Sequence, residues 1–207
     1  ISSTDPGIVD TDKLYHLMTN VYKWDALKRD DYFVDYQNLF THLGVMSQRG
    51  LFVTCANAFI KAGELDRAEA MLDKCQEVLD PTRYPLETVP IGLSGNDYMT
   101  IQMVANYYKV GQGEKARKLA IEYANQLMQG LKFSVEFYSF LQDDFEYQYQ
   151  YAYLLREELK AAGDRELGDQ LMDNVNQMVK ILTGQDTDDD YFVDEDFEDY
   201  EEDVEYD

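Results

Sequence analysis

Residues 52–81, FVTCANAFIKAGELDRAEAMLDKCQEVLDP, decide the fold. They read as two short amphipathic helices joined by a tight turn. Phe52, Cys55, Ala56 and Phe59 recur at helical spacing, and so do Ala68, Leu72, Cys75 and Leu79. Small Ala56 and Ala68 let two helix axes approach closely, and large Phe52, Phe59 and Leu72 fill the space around that contact. Gly63 supplies the left-handed residue that ends the first helix. A single hairpin of this kind cannot bury both faces, so it requires neighbours.

The neighbours are visible as echoes. Tyr107, Gly111 and Ala116 fall 48 residues after Phe59, Gly63 and Ala68, and Gly163 falls 52 after Gly111. The hairpin resembles the tetratricopeptide pattern W-x2-L-G-x2-Y, A-x3-F, P. Phe52 takes the tryptophan place, Ala56 the glycine place, Phe59 the tyrosine place, and Pro81 closes it one residue late. The expected fold is all-α, a tetratricopeptide-like stack of helical hairpins forming an α-α superhelix of about seven helices. Their expected spans are 11–22, 35–62, 65–79, 97–110, 114–141, 145–162 and 167–182. Asp10 or Thr11 caps the first, whose stripe is Leu14, Leu17, Met18 and Val21. The fifth is expected to pass through Gly130. Three prolines mark 81–96 as a loop. Residues 1–9 read as an extended arm, 10–183 as the repeat domain and 184–207 as an acidic tail.

Charge bounds the partners. With 18 Lys plus Arg against 41 Asp plus Glu, the net charge is −23. That surface repels nucleic-acid phosphates and anionic membranes. No run approaches the roughly 18 consecutive apolar residues of a membrane span. The first residue is Ile1, and a fragment of a longer protein is the expectation. Fourteen of the last 24 residues are acidic. Such blocks are commonly disordered, yet Val193, Phe197, Tyr200 and Val204 are spaced to make one helical stripe. Cys55 and Cys75 sit at apolar positions and read as small core residues, with a disulfide not demanded by spacing.

No catalytic constellation has workable spacing. His16 and His42 lie in separate helices without a metal-binding context. Asp186, Asp188, Asp190 and Asp194 match places one, three, five and nine of an EF-hand loop. Tyr191 stands where that loop needs glycine and Phe197 where it needs the bidentate glutamate. No cofactor or specific metal is expected. The tyrosine run predicts Tyr147 and Tyr151 in the core, with Tyr149 and Tyr153 exposed to stack on a sugar or peptide.

The inner face of a hairpin stack is its usual binding surface. The repeat register places Val53, Asn57, Ile60 and Lys61 there from the first hairpin, and Tyr98, Ile101, Ala105, Tyr108 and Lys109 from the second. The candidate partner-binding set is Asn57, Ile60, Lys61, Tyr98, Ile101, Tyr108 and Lys109, and the expected ligand is a protein or peptide. Asn57, Lys61 and Lys109 suit a peptide carboxylate or backbone. The competing structural reading has Ile60, Ile101 and Tyr108 packed on a neighbouring helix and the lysines solvated. Val53 stands where the carboxylate clamp of co-chaperone repeats has lysine, so chaperone tails are not implied.

DTDKLYHLMTNVYKW, YFVDYQNLF, the hairpin, Val89-Pro90 and NYYKVGQGEKA follow one another in an order that resembles the C-terminal region of a bacterial membrane-protein family. That family is described as a domain of unknown function, and its multi-spanning N-terminal part is similar to protein O-mannosyltransferases. The likeness covers about residues 10–183. This chain lacks an arginine-rich turn after YFVD and carries the acidic tail in addition. The resemblance implies an extracytoplasmic, periplasmic-facing accessory domain with no catalytic residues of its own. The alternatives are a free-standing scaffold for protein assembly, or a carbohydrate-active helical domain using Asp143 and Asp144. The last pair is adjacent on a helix and does not converge.

Overall fold

A computed structural model of the chain describes residues 9–35, 44–88 and 95–184. Among these there is no strand. The helices are α1 (Thr11–His16), α2 (Gln48–Lys61), α3 (Leu65–Val78), α4 (Gly95–Lys109), α5 (Gly113–Glu136), α6 (Tyr138–Ala161) and α7 (Arg165–Thr183). Three hairpins result, α2–α3, α4–α5 and α6–α7. They stack through α2–α4, α4–α6, α5–α6 and α5–α7 contacts. The architecture is the all-α hairpin stack that the sequence pattern predicts. The arm residues 1–8 and the tail residues 185–207 lie outside the described residues, as do His42 and the EF-hand-like aspartates.

The three glycines close their helices in the same way. Gly63, Gly111 and Gly163 have φ of 76°, 80° and 88°. In the first turn Gly63 N–H donates to Ile60 O at 3.0 Å and Glu64 N–H to Phe59 O at 2.8 Å. The pair Gly111 and Gln112 repeats this on Tyr108 and Tyr107, and Gly163 and Asp164 repeat it on Lys160 and Leu159. Both bonds satisfy carbonyls that the helix leaves without partners. The following residue starts the next helix, so each turn is as short as a helical hairpin allows.

Phe52, Ala56, Phe59, Ala68, Leu72, Tyr107, Ala116, Ala120 and Tyr123 have no exposed surface. They form one continuous core. Cys55 and Cys75 are free and buried within it. The N-terminal segment covers the first hairpin. Tyr15 meets Phe59 edge-on at 5.9 Å, and Trp24 lies 4.8 Å from Phe52 while its Nε1–H donates to Met18 O at 2.8 Å.

Four expectations are corrected. The helix expected over 35–62 is interrupted: Gly44 is a bend and 45–47 a turn, held by Ser47 Oγ donating to Gly44 O at 2.7 Å, and α2 runs from Gln48, while residues 36–43 lie outside the described residues. The first helix keeps its Asp10 cap, which accepts from Lys13 N–H at 3.0 Å. It then widens into a π-helix over Leu17–Val21. Thr19 Oγ1 donates to Tyr15 O at 2.7 Å, the back-bond that loosens a helical turn. The widened turn buries Met18 and leaves Val21 exposed. The fifth helix does pass Gly130 but breaks at Phe137 (φ −113°, ψ 31°), and α6 carries a second break at Leu141. Finally, Tyr149 is buried and Tyr147 exposed, the reverse of the expected pair, while Tyr151 is buried as expected. The buried face of α6 runs through Phe145, Gln148, Tyr149, Ala152, Leu155 and Leu159, and Tyr147 points away from it.

Candidate partner-binding face

α2 and α4 lie side by side as the first helices of their hairpins, and the candidate residues lie along them. Asn106 Nδ2 donates to Asn57 Oδ1 at 2.8 Å across the two helices. Lys109 Nζ donates to Asn106 Oδ1 at 3.4 Å. The chain of contacts orders the amides and leaves Asn57 Nδ2 as a donor on the half-exposed surface. Lys61 and Lys109 are exposed near the C-terminal ends of α2 and α4, where the helix dipole favours positive charge. Asn57, Ile60, Tyr98 and Tyr108 are half-buried, and Ile60, Tyr98 and Tyr108 pack partly on the core.

Three residues assigned to this face by register are in the core instead. Val53 and Ile101 are each 1% exposed and Ala105 is buried as well, so a bound partner would not reach them. Tyr108 has its hydroxyl committed: it donates to Asp164 Oδ2 at 2.5 Å. Arg117 holds the same carboxylate through Nε at 2.5 Å and Nη2 at 3.0 Å. Burial pushes the Asp164 carboxyl up, but Tyr108 and Arg117 together bring it below the usual range. Burial, then the Asp164 contact, raises the Tyr108 hydroxyl to about 12. This junction ties the end of α4 and the start of α5 to the last hairpin turn and commits the Tyr108 hydroxyl.

A second polar group was not anticipated from the sequence and is buried. Arg49 donates to Tyr84 O at 3.1 Å, and to Pro85 O and Asn96 Oδ1 at 3.2 Å each. Asp97 accepts from Thr88 N–H, from the Thr88 hydroxyl, and from Tyr123 Oη at 3.0 Å. Gln148 bridges Ser134 Oγ at 2.7 Å and Glu87 Oε1 at 2.8 Å. Gln126 Oε1 accepts from Leu86 N–H at 2.7 Å. Burial raises Glu87 to about 8 and Asp97 to about 6. These bonds fix segment 84–88 against α2, α4, α5 and α6. A signal existed: Arg49 lies one turn before Phe52, and Asp97 one turn before Ile101, both in line with buried apolar residues.

Asp143 is exposed and Asp144 half-buried on the same turn of α6. Burial, then Asp143, raises Asp144. His16 is exposed, with Asn20 Nδ2 at 3.3 Å from its Nδ1. Among the described residues no three His, Cys, Asp or Glu side chains gather in a metal-binding group, and no helix is long and apolar enough to cross a membrane. No protein-family model, no curated protein and no solved structure matches this chain.

Proposed function

We propose that this chain is a non-catalytic, tetratricopeptide-like module that binds an extended, carboxylate-bearing peptide or protein segment along α2 and α4. The observation that carries this reading is the Asn57–Asn106 pair flanked by exposed Lys61 and Lys109. An extended peptide offers backbone carbonyls and a carboxylate. The strip offers an amide donor and two cations spaced along one face. On a chain of net charge −23, a surface presenting lysines selects acidic segments locally while the rest of the molecule repels polyanions. Half-buried Ile60 and Tyr98 add apolar area beside the donors.

We also place the module in a larger protein, as the extracytoplasmic C-terminal part of a membrane glycosyltransferase-like protein. This rests on the order of segments quoted above, from DTDKLYHLMTNVYKW to NYYKVGQGEKA. Its role there is to hold acceptor proteins or envelope components near the membrane-embedded part.

The test is a fluorescence-anisotropy screen of short peptides with free C-terminal carboxylates against the 207-residue chain. The double substitution K61E/K109E should weaken the binders about tenfold or more, since each charge-assisted contact contributes on the order of 1–2 kcal/mol. Binding indifferent to both lysines, or no binding across acidic peptides, overturns the reading of this face. A periplasmic reporter fused to the C-terminus of the parent protein tests its placement, and a cytoplasmic signal would reject it.

A further inference from the structure

We propose that segment 185–207 docks on the aromatic tip where α5 passes into α6, seating Phe197 and Tyr200 against Phe133, Phe137 and Phe140. The tip gathers four exposed large aromatic side chains within eight residues of sequence. Phe133 is 52%, Phe137 43%, Tyr138 41% and Phe140 86% exposed. The rings of Phe133 and Phe137 lie 4.9 Å apart, and the breaks at Phe137 and Leu141 bracket Phe140. Clustered aromatic exposure of this kind marks an interaction surface, whereas single exposed residues do not.

The end of α7 lies beside this tip. α6 and α7 run antiparallel, with Tyr149 Oη donating to Asn176 Oδ1 at 2.7 Å and Arg156 Nε to Asp169 Oδ1 at 2.9 Å. Both bonds give the same register, and that register carried forward brings Gly184 level with Leu141. Gly184 has φ of 71° and turns the chain off the helix axis. The following 23 residues therefore start next to the exposed rings. From Gly184 to Val193 the chain reaches at most about 30 Å, enough to lay the segment across the tip.

The sequence of the segment supplies the matching side chains. Val193, Phe197, Tyr200 and Val204 are spaced by four, three and four, which on a helix is one apolar face. Tethering raises the local concentration of that face to the order of millimolar, so contacts too weak to join two molecules suffice within one. Charge opposes the contact. The segment carries fourteen acidic residues and no basic one, and the tip carries Glu136, Asp143 and Asp144 against Lys132. An association driven by aromatic burial against like charge tightens as salt is added, and an ionic one loosens.

Hydrogen exchange of the intact 207-residue chain tests this. Peptides covering 133–142 should exchange about fivefold more slowly than in the F197S/Y200S variant, the ratio for a segment docked about four-fifths of the time. The difference should grow between low and high salt and stay constant with protein concentration. F140S should remove it as well, which guards against effects of the tail substitutions elsewhere. Equal exchange in all three proteins overturns the proposal. Protection that rises with protein concentration assigns the tip to a second copy and also overturns it, and so does protection lost on adding salt.

Discussion

Gln148 Nε2 donates to Glu87 Oε1 at 2.8 Å, and the bond passes directly over Gly130. A Cβ at Gly130 would collide with both partners. The glycine in the middle of α5 is thus a groove through which the segment after α3 reaches α6. Burial is the main reason that the Glu87 carboxyl is raised to about 8, with the Gln148 bond opposing it and Asp97 and Asp144 adding to it. In the unfolded chain it titrates near 4.5. Between these values the folded protein binds the proton that the unfolded chain releases. Stability therefore falls as pH rises through about 4.5 to 8. We predict that Glu87→Gln, which keeps the acceptor for Gln148, removes this loss. Discounted for partial exposure, the gain at pH above 8 is on the order of 2 kcal/mol, with little change near pH 4.5. Denaturant midpoints of both proteins across that range measure it; parallel curves would sink it.

Arg49 is 1% exposed and bonds two backbone carbonyls and one side-chain oxygen. Burial lowers its guanidinium, and Asp97 is among the groups that pull it back. Replacing it with methionine leaves the carbonyls of Tyr84 and Pro85 without this donor and Asp97 without a countercharge. The predicted cost of Arg49→Met is about 3–5 kcal/mol. Adding Asp97→Asn should restore part of it, because the second change removes the stranded charge. The coupling in a double-mutant cycle, read by chemical denaturation, checks this; strict additivity would show that the two groups do not share one field.

Much of the fold was legible because it is written in short-range rules. Gly63, Gly111 and Gly163 announce three hairpin turns, and the alanines and aromatics around them announce close helix packing. Segments governed by local competition were not. The Thr19 back-bond and the Gly44–Ser47 turn follow from side-chain bonds that periodicity does not encode, and the breaks at Phe137 and Leu141 fall inside an unbroken apolar periodicity. For the candidate face, register put Lys61 and Lys109 on exposed surface, where they are, but put Val53, Ile101 and Ala105 there too, and these are buried. A repeat register fixes which helices are adjacent, not how far α2 and α4 each rotate toward the core. Asn106, Arg117 and Asp164 went unseen because their cross-helix partners lie 47 to 56 residues away in sequence.

Cys55 and Cys75 should resist thiol reagents in the native protein. Burial alone raises Cys55 to about 11; it raises Cys75 to about 12 against the pull of Arg49. Almost no thiolate exists at pH 8, and access is closed as well. Labelling at pH 8 should show no rapid phase, and both thiols should react once denaturant unfolds the chain. A fast-reacting thiol in native buffer would mean that the first hairpin opens far below the global unfolding free energy.

The last prediction separates backbone strain from packing. Nothing lies within 4 Å of a Cβ built on Gly63, Gly111 or Gly163. Alanine there meets no neighbour, and its whole cost is the positive φ, about 1–2 kcal/mol at each site. Gly50 offers the opposite case. It sits in α2 with ordinary helical geometry, and its added Cβ would rest 3.6 Å from Met99, a normal contact. Gly50→Ala should therefore stabilise by about 0.5–1 kcal/mol through helix propensity and a less free unfolded chain. Since the three turns lie in separate hairpins, their losses should add within about 0.5 kcal/mol. Urea unfolding of the four single variants and the triple variant decides it. If Gly111→Ala costs much less than Gly63→Ala, the middle turn is not held in the left-handed region, and the three hairpins do not close by one shared rule.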